Sequence, residues 1–533
     1  MSELLQHWVV RQAAATPERV AVVCGAERLT YGEVDSLSNQ LARVLRDQGC
    51  AQGDRVALLM PKSPLAIAAL VGILKADCIY VPLDPFSPVT RLQKIANACD
   101  NTCLLAAGPV TSTVRELLNQ RRRDSRMSLG WLEPRSAVTS DLDVTFTLDD
   151  VVRCSNEPVA TRNTVTDPSH ILFTSGSTGT PKGVVITHSN VRHLIEWATT
   201  YFRMDSSDRM SGHPPLHFDM SFFDIFCAAA AGAELHLVPA DLNVLPNKLA
   251  DFIRSSQLTQ WFSVPSILTY MARFDVVAPN DFPHLRRLAW AGEVLPTPTL
   301  SYWMQRLPHV QFTNLYGPTE TTIVSSYYTV PECPTDPQTP IPIGTPCGGE
   351  DLLVLDESLR RTPPGESGDL YIAGVGLARG YWRDEERTAA AFVAHPEQPS
   401  QRIYKTGDVA RIGDDHLTYF LGRKDSQIKS RGYRIELGEI EAALNAVAVV
   451  EESAVVAINT DDFDGTAICC AYVPKGESDV TPAVLRQHLR ALLPSYMLPA
   501  RWLAFERFPR NANGKVDRPR LKEAFHTHAA QAC

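Results

Sequence analysis

The sequence lacks several features that would point directly to a class of protein. Its twelve cysteines include no Cys-x-x-Cys pair, which argues against a zinc site or a disulfide framework. No run of eighteen apolar residues is present, and the N-terminus lacks the basic and apolar blocks of a signal peptide. The 51 Lys and Arg are outnumbered by 60 Asp and Glu, which argues against nucleic acid or an anionic membrane as the partner. These absences predict a cytoplasmic protein with reduced thiols.

The size and hydrophobic pattern predict more than one domain. The chain has 533 residues, 44% of them hydrophobic, which exceeds what one core usually supports. The first hundred or so residues alternate helical periodicity with short apolar strands such as RVALLM, which is typical of an α/β domain with a largely parallel sheet. Short strands with glycine and proline turns over 340–421 predict an all-β subdomain. We therefore expect a core over 1–422 and a small α+β domain over 423–533.

A stretch rich in glycine and hydroxyl groups, ILFTSGSTGTPKGVVIT, occupies residues 171–187. A P-loop requires a second glycine before its lysine and a hydroxyl after it, and then enters a helix. Here Pro181 replaces that glycine, Gly183 follows Lys182, and the next residues are apolar and β-branched, which predicts a strand. A P-loop kinase is therefore excluded. The pattern indicates a strand–loop–strand hairpin that offers hydroxyls and amides to phosphate.

Ten motifs follow one another along nearly the whole chain: LTYGEVDSLSNQLA, LKADCIYVPLDP, the glycine loop, FDMSFFDIF, NLYGPTET, GDLYIAGVGLARGYW, YKTGDVAR, GRKDSQIKSRGYRIELGEIE, LPSYMLP and NGKVDR. In this order they resemble the adenylate-forming superfamily, and most closely the amino-acid adenylation domains of nonribosomal peptide synthetases. The resemblance implies that a carboxylate attacks the α-phosphate of ATP, giving an acyl-adenylate and pyrophosphate. A phosphopantetheine thiol of a carrier protein then displaces AMP. The implied fold is a large N-terminal domain of stacked α/β layers with a small β-barrel-like subdomain, followed by a small mobile α+β domain.

The resemblance also implies residues for the phosphates and their metal ion. Glu320 is expected to bind Mg²⁺, which commonly takes one or two carboxylates together with phosphate oxygens and water. Its neighbour Thr319 is expected to contact the α-phosphate. The β- and γ-phosphates are expected on the glycine loop, at Thr174, Ser175, Gly176, Ser177, Thr178, Gly179 and Lys182.

The nucleoside and the reacting carboxylate have their own implied contacts. Tyr316 is expected to stack on adenine, with Asn314 nearby. Asp408 is expected to accept hydrogen bonds from the ribose hydroxyls, and Arg423 to make a second ribose or phosphate contact. Lys515, in NGKVDR, is expected to bridge the substrate carboxylate and the α-phosphate, where charge builds up in the transition state.

The second half-reaction places the thiol where Lys515 had been. The resemblance implies that the small domain rotates about a hinge at Asp425 to allow this. The sequence contains no carrier domain after Lys515 and no condensation domain before the core, so we expect a stand-alone enzyme that loads a peptidyl carrier protein in trans. A requirement for a small activator protein stays open.

The FDMS motif bears on the acid that is activated. In amino-acid-activating members an aspartate at the position of Asp219 pairs with the substrate ammonium; the alternative is that Asp219 caps a helix that begins at Ser221. The other implied pocket residues carry no charge, and they are Met220, Phe223, Phe262, Ala289, Ala291, Gly292, Leu315, Ile323 and Val324. An uncharged pocket favours an apolar side chain and rejects Asp, Glu, Lys and Arg. We favour a compact one such as proline, and a β-amino acid remains an alternative.

Two other interpretations stay open at this point. An acyl- or aryl-coenzyme A ligase belongs to the same superfamily, and Asp219 and the NGKVDR ending argue against it. A degenerate relative that binds nucleotide without turnover should have lost Lys182, Glu320, Asp408 or Lys515. All four residues are present in this sequence.

Overall fold

The computed structural model describes residues 3–120, 127–139, 141–176, 180–460, 466–475, 480–511 and 516–531. The chain divides into two compact units. The first comprises Met1–Pro85, Ala96–Phe173 and Gly183–Gly422, and the second comprises Phe86–Ile95, Thr174–Lys182 and Arg423–Cys533. The predicted α/β class, with a large N-terminal and a small C-terminal domain, is confirmed.

The described strands are β1 (Val20–Cys24), β2 (Glu27–Thr30), β3 (Arg55–Leu59), β4 (Ile79–Pro82), β5 (Cys103–Ala106), β6 (Ser128–Trp131), β7 (Phe146–Thr147), β8 (Pro168–Thr174), β9 (Lys182–Thr187), β10 (Arg209–Gly212), β11 (Glu234–Leu237), β12 (Gln260–Ser263), β13 (Arg287–Ala291), β14 (Gln311–Tyr316), β15 (Ser326–Thr329), β16 (Thr345–Pro346), β17 (Glu350–Leu355), β18 (Ser367–Gly374), β19 (Gly380–Tyr381), β20 (Phe392–Ala394), β21 (Arg402–Ile412), β22 (Thr418–Arg423), β23 (Gln427–Ser430), β24 (Tyr433–Glu436), β25 (Val450–Asn459), β26 (Thr466–Pro474) and β27 (Arg501–Ala504). The described α-helices are α1 (Leu5–Ala15), α2 (Tyr31–Asp47), α3 (Pro64–Lys75), α4 (Val89–Cys99), α5 (Thr111–Asn119), α6 (Leu148–Val152), α7 (His188–Tyr201), α8 (Met220–Ala231), α9 (Pro246–Ser255), α10 (Pro265–Arg273), α11 (Thr297–Arg306), α12 (Glu385–Ala391), α13 (Leu437–Asn445), α14 (Pro482–Arg490) and α15 (Arg518–Gln531).

One sheet of the first unit has the strand order β19-β9-β8-β4-β3-β5-β6-β7. Strands β4, β3, β5, β6 and β7 pair in parallel, as the alternation of helices and apolar strands predicts. Helix α3 begins with Pro64 after the N-cap Ser63, whose hydroxyl accepts the Ala66 N–H, and most of its residues are buried. The neighbours β8 and β9 are the two strands predicted to flank the glycine loop.

A second sheet of this unit carries most of the candidate site. Its strand order is β16-β15-β14-β13-β12-β10-β11-β1-β2, and β12, β13 and β14 are adjacent and parallel. Their carboxyl ends therefore lie along one edge, which is where ligands bind in open α/β sheets. Helix α8 ends at Ala231, and its C-cap residue Gly232 has a φ of +70°, which is left-handed and suits glycine.

The predicted β subdomain contains β17, β18, β21 and β20, which pair antiparallel in that order, and β22, which pairs with β21. Its apolar side chains pack around Tyr316, which comes from β14 of the second sheet, and so they connect this sheet to the candidate site. The second unit contains the paired strands β25, β26 and β27, with helix α13 packed against β25 and a buried apolar cluster that includes Ile440 and Leu485.

Among the described residues every cysteine is free. Within the same residues, no helix has both the length and the apolar character needed to cross a bilayer.

Candidate functional site

Asp219 lies at the N-cap of α8 and is half-buried. Its Oδ1 accepts the backbone N–H of Met220 at 2.8 Å, and its Oδ2 accepts the hydroxyl of Thr319 at 2.7 Å. The expectation that a capped helix begins at Ser221 is corrected by one residue, because the capping bond goes to Met220 and the helix begins there. Capping occupies one carboxylate oxygen, so the other oxygen can serve a second role.

Four of the implied pocket residues share one face of the second sheet. Phe262 of β12 is the register partner of Ala289 on β13, and Ala291, two residues further along β13, is the partner of Leu315 on β14. Because partners in parallel strands point to the same side and residues two apart share a face, these four side chains form one apolar surface. Each of them is 3% exposed or less.

Helix α8 supplies the apolar side chains that face this surface. The Phe223 ring lies 4.9 Å from the Phe262 ring, centroid to centroid, at 55°. Met220 and Phe223 are both buried, at 5% and 0% exposure. Gly292 follows Ala291 with a φ of +95°, a left-handed conformation that favours glycine.

The remaining implied pocket residues are Ile323, which lies in a strained turn, and Val324, which follows it. Thr322 and Ile323 have φ values of +61° and +73°, which a β-branched residue rarely adopts. The hydroxyl of Thr322 donates to the Gly376 carbonyl at 2.6 Å, which holds the turn in place. Both pocket residues are buried. Strain of this kind is often found at ligand sites.

Glu320, the predicted magnesium ligand, is fully buried in the short 3₁₀ turn Thr319–Thr321. Its Oε1 accepts the hydroxyl of Tyr381 at 2.8 Å, and its carbonyl accepts the Ala378 N–H. The turn follows Gly317, where a Cβ would lie 2.6 Å from the Ile323 carbonyl oxygen. No group of three or more metal-binding side chains occurs among the described residues. A single carboxylate fits Mg²⁺, which usually keeps water and phosphate oxygens as its other ligands.

The predicted adenine and ribose residues come together although they are 92 positions apart. The Tyr316 hydroxyl donates to Oδ2 of Asp408, and the two residues are 7% and 3% exposed. Asp408 is positioned by its own N–H, which donates to the Thr406 hydroxyl at 3.0 Å. The Asn314 amide donates to the Pro342 carbonyl at 2.8 Å, which holds Asn314 beside Tyr316 on β14.

Several predicted phosphate residues belong to the second unit. The Ser175 hydroxyl donates to the Arg434 carbonyl at 2.7 Å. A Cβ at Gly176 would lie 2.2 Å from the Thr180 carbonyl oxygen, so only glycine fits there. Thr174 ends β8, and the half-buried Lys182 begins β9. The predicted residues Ser177, Thr178, Gly179 and Lys515 lie outside the described residues.

The predicted hinge residue Asp425 pairs with the predicted ribose or phosphate residue Arg423. Nε and Nη2 of the guanidinium donate to the two carboxylate oxygens at 2.8 and 2.7 Å. Burial opposes ionisation of Asp425, but the Arg423 guanidinium outweighs it, and the pKa of this carboxyl is lowered.

Sequence reasoning missed a lysine that supports the segment leading to Asp219. Lys62 Nζ donates to the carbonyls of Gly212 and His213, the latter at 2.8 Å. Burial lowers the pKa of Lys62 to about 8, and the nearby carboxyl of Asp224 on α8 opposes this shift. Desolvation raises the pKa of Asp224 well above its ordinary value. Tyr381 was also missed, although it lies in the GDLYIAGVGLARGYW motif.

Comparison with known proteins gives two family matches. Residues 9–382 match the family model of the AMP-binding enzyme, and residues 439–515 match that of the AMP-binding enzyme C-terminal domain. Tyrocidine synthase 3 of Brevibacillus parabrevis is 37% identical over 97% of this chain and 8% of its own length. Tyrocidine synthase 1 of the same organism is 32% identical over 96% of this chain and 44% of its own length. The chain thus spans less than half of either relative.

Among solved structures, the Vibrio cholerae adenylation domain AlmE in complex with glycyl-adenosine-5′-phosphate is 25% identical to this chain. The match covers 99% of this chain and 98% of AlmE, with a TM-score of 0.85.

Proposed function

We propose that this chain activates an apolar amino acid as its aminoacyl-adenylate, because it belongs to the AMP-binding enzyme family and is an adenylate-forming ligase of the nonribosomal peptide synthetase adenylation-domain type. The substrate carboxylate attacks the α-phosphorus of ATP. The new bond joins a carboxylate oxygen to phosphorus, the bond to the β-phosphate oxygen breaks, and pyrophosphate leaves. We further propose that the acyl group passes to the phosphopantetheine thiol of a separate carrier protein.

The contact between Asp219 and Thr319 carries this proposal. An anion suited to an ammonium group lies 2.7 Å from the residue that is expected to touch the α-phosphate. Glu320, the proposed metal ligand, follows Thr319 in the same turn. The proposed amine site and the proposed phosphate site therefore adjoin each other, as the two ends of one small substrate require.

The apolar surface formed by the second sheet and α8 supports a compact apolar side chain. The Phe223 and Phe262 rings are in contact, and Ala289 and Ala291 contribute only methyl groups to the same surface. A charged side chain there would lose its hydration without gaining a partner, so it should be rejected. Proline is the amino acid that we favour.

Different residues are proposed to bind the different parts of ATP. Tyr316 offers a ring face for adenine, and Asp408 offers carboxylate oxygens for the ribose hydroxyls. Mg²⁺ at Glu320 would neutralise phosphate charge. The role of Lys515 as the cation between carboxylate and α-phosphate rests on the NGKVDR motif alone.

Transfer to the carrier is a separate proposal, based on the hinge motif. We propose that residues 1–422 and 423–533 act as core and lid, with Asp425 as the hinge. Asp425→Pro would fix φ near −65° and should impair thioester formation far more than adenylation. Equal loss of both half-reactions would contradict the hinge.

The decisive experiment is ATP–pyrophosphate exchange with the proteinogenic amino acids, several β-amino acids, and fatty and aryl acids. We expect the strongest exchange with a compact apolar α-amino acid. If a β-amino acid is the best substrate, its amine lies one carbon further from the carboxylate, and Asp219 would pair with the amine at that position. Exchange with amine-free acids alone would indicate an acyl- or aryl-coenzyme A ligase and would refute the proposal.

A further inference from the structure

The hydrogen bond between Thr319 and Asp219 joins the proposed amine site to the proposed α-phosphate site. Thr319 lies in the 3₁₀ turn next to the proposed metal ligand Glu320, and Asp219 caps α8, 100 residues earlier. The Thr319 hydroxyl is the donor and Oδ2 of Asp219 is the acceptor, at 2.7 Å. The same hydroxyl is the group proposed to contact the α-phosphate.

A threonine hydroxyl has one proton and can donate to one acceptor at a time. While it donates to Asp219, that proton is not available to a phosphate oxygen. Oδ1 of Asp219 accepts the Met220 N–H and Oδ2 accepts the Thr319 hydroxyl, so an amine that pairs with this carboxylate shares it with Thr319. The bond from Thr319 is already charge-assisted because its acceptor is a carboxylate, and a substrate ammonium that pairs with this carboxylate neutralises much of its charge. The Thr319 hydroxyl is then held less strongly by Asp219 and is released to an ionised phosphate oxygen.

We propose that Thr319 couples recognition of the amine to binding of the α-phosphate; this inference rests on the proposed function. When the ammonium pairs with Asp219, the Thr319 hydroxyl turns away and donates to an α-phosphate oxygen. An acid without an amine leaves the hydroxyl on Asp219. The enzyme thus discriminates against such acids in two ways. They form no ion pair with Asp219, and ATP binds more weakly in their presence.

Coupling of this kind must be reciprocal: an amine ligand tightens ATP binding by the same factor by which ATP tightens amine binding. The test therefore uses binding, with a ligand that cannot react. The amino alcohol of the preferred amino acid, L-prolinol for proline, has the amine and lacks the carboxylate. The Kd of ATP with Mg²⁺ is measured by calorimetry without the amino alcohol and with it at saturation.

For the unmodified protein we expect the amino alcohol to lower the Kd of ATP by about 5–10-fold, within the usual range of such couplings. Thr319→Ser keeps the hydroxyl and should keep the coupling. Thr319→Val keeps the shape and should reduce the coupling to less than about twofold. Thr321→Val is the matched control, because that hydroxyl bonds within the turn, to Pro318 O and to Ser325, and it should leave the coupling intact.

Full coupling in Thr319→Val, or no coupling in the unmodified protein, would overturn the inference. Loss of coupling in Thr321→Val to the same extent would also overturn it, since the effect would then come from the turn as a whole. These results are separable from the proposed function. If amino acids support exchange but no coupling is found, this inference fails alone; if no amine-bearing acid supports exchange, the proposed function fails.

Discussion

Tyr316→Phe tests the proposed nucleoside site by removing one hydroxyl and leaving the ring. In the structure that hydroxyl donates to Oδ2 of Asp408, and both residues are almost completely buried. Hydrogen bonds to charged groups contribute about 1.5–3 kcal/mol, and a buried acceptor that loses a donor also loses the hydration it would have had when unfolded. We therefore expect Tyr316→Phe to lower the free energy of unfolding by about 2 kcal/mol.

The chain offers a matched control in the β subdomain that contains Asp408. The Tyr419 hydroxyl donates to Asp415 at 2.7 Å, but this pair is exposed. Solvent replaces such a partner readily, so Tyr419→Phe should cost less than about 0.5 kcal/mol. The measurement is urea denaturation of both variants, followed by tyrosine and tryptophan fluorescence.

ATP binding gives the second readout for this pair. Since phenylalanine keeps the ring face and Asp408 keeps its carboxylate, the Kd of ATP for Tyr316→Phe should stay within about threefold of that for the unmodified protein. Asp408→Asn should raise the Kd of ATP by about 10-fold, because the ribose hydroxyls then lose a charged acceptor. The reasoning is refuted if Tyr316→Phe and Tyr419→Phe cost the same, or if Tyr316→Phe weakens ATP as much as Asp408→Asn does.

Three further predictions follow from the structure. Lys62→Met should lower the free energy of unfolding by about 3 kcal/mol, since it removes the buried donor to the Gly212 and His213 carbonyls, while the exposed Lys405→Met should change it little; a loss below about 1 kcal/mol would contradict this. Burial raises the pKa of Glu350 from 4.5 to about 8, so the folded state holds this proton and stability should fall as pH rises through that window. Glu350→Gln should remove about 2–3 kcal/mol of the decline between about pH 6 and 8, and equal slopes for the two proteins in denaturation would argue against it. Ala289→Leu should reduce kcat/KM in exchange about tenfold or more for the larger accepted side chains relative to the smallest, and an unchanged preference would exclude this residue from the pocket.

The fold class was predictable because its signals are local. Apolar strands such as β3 alternate with helices such as α3 whose caps and periodicity lie within a few residues. The strand order was not predictable in this way. Strand β1, from the N-terminus, joins the second sheet beside β11, more than 200 residues later, and nothing near Val20 indicates this partner. Pairing at such a distance is decided by the whole core.

The same difference between local signals and long-range contacts applies to the candidate site. Asp219, Tyr316 and Asp408 were found through motifs, but the contacts that relate them to one another or to Thr319 span about a hundred residues and became visible only in the structure. Lys62 was missed because a lysine between apolar segments usually lies at a surface. The start of α8 was predicted one residue late, since the sequence does not say which N–H receives the Asp219 carboxylate.

The central claim is that Asp219 recognises the amine of the acid that is activated. Exchange should therefore be measured with the best amino acid and with the same acid lacking its amine, in the unmodified protein and in Asp219→Asn. We predict that the unmodified protein prefers the amino acid by about 100-fold or more, and that Asp219→Asn loses most of this preference while keeping the fold, because an asparagine oxygen can still cap α8. An undiminished preference in Asp219→Asn would contradict the account.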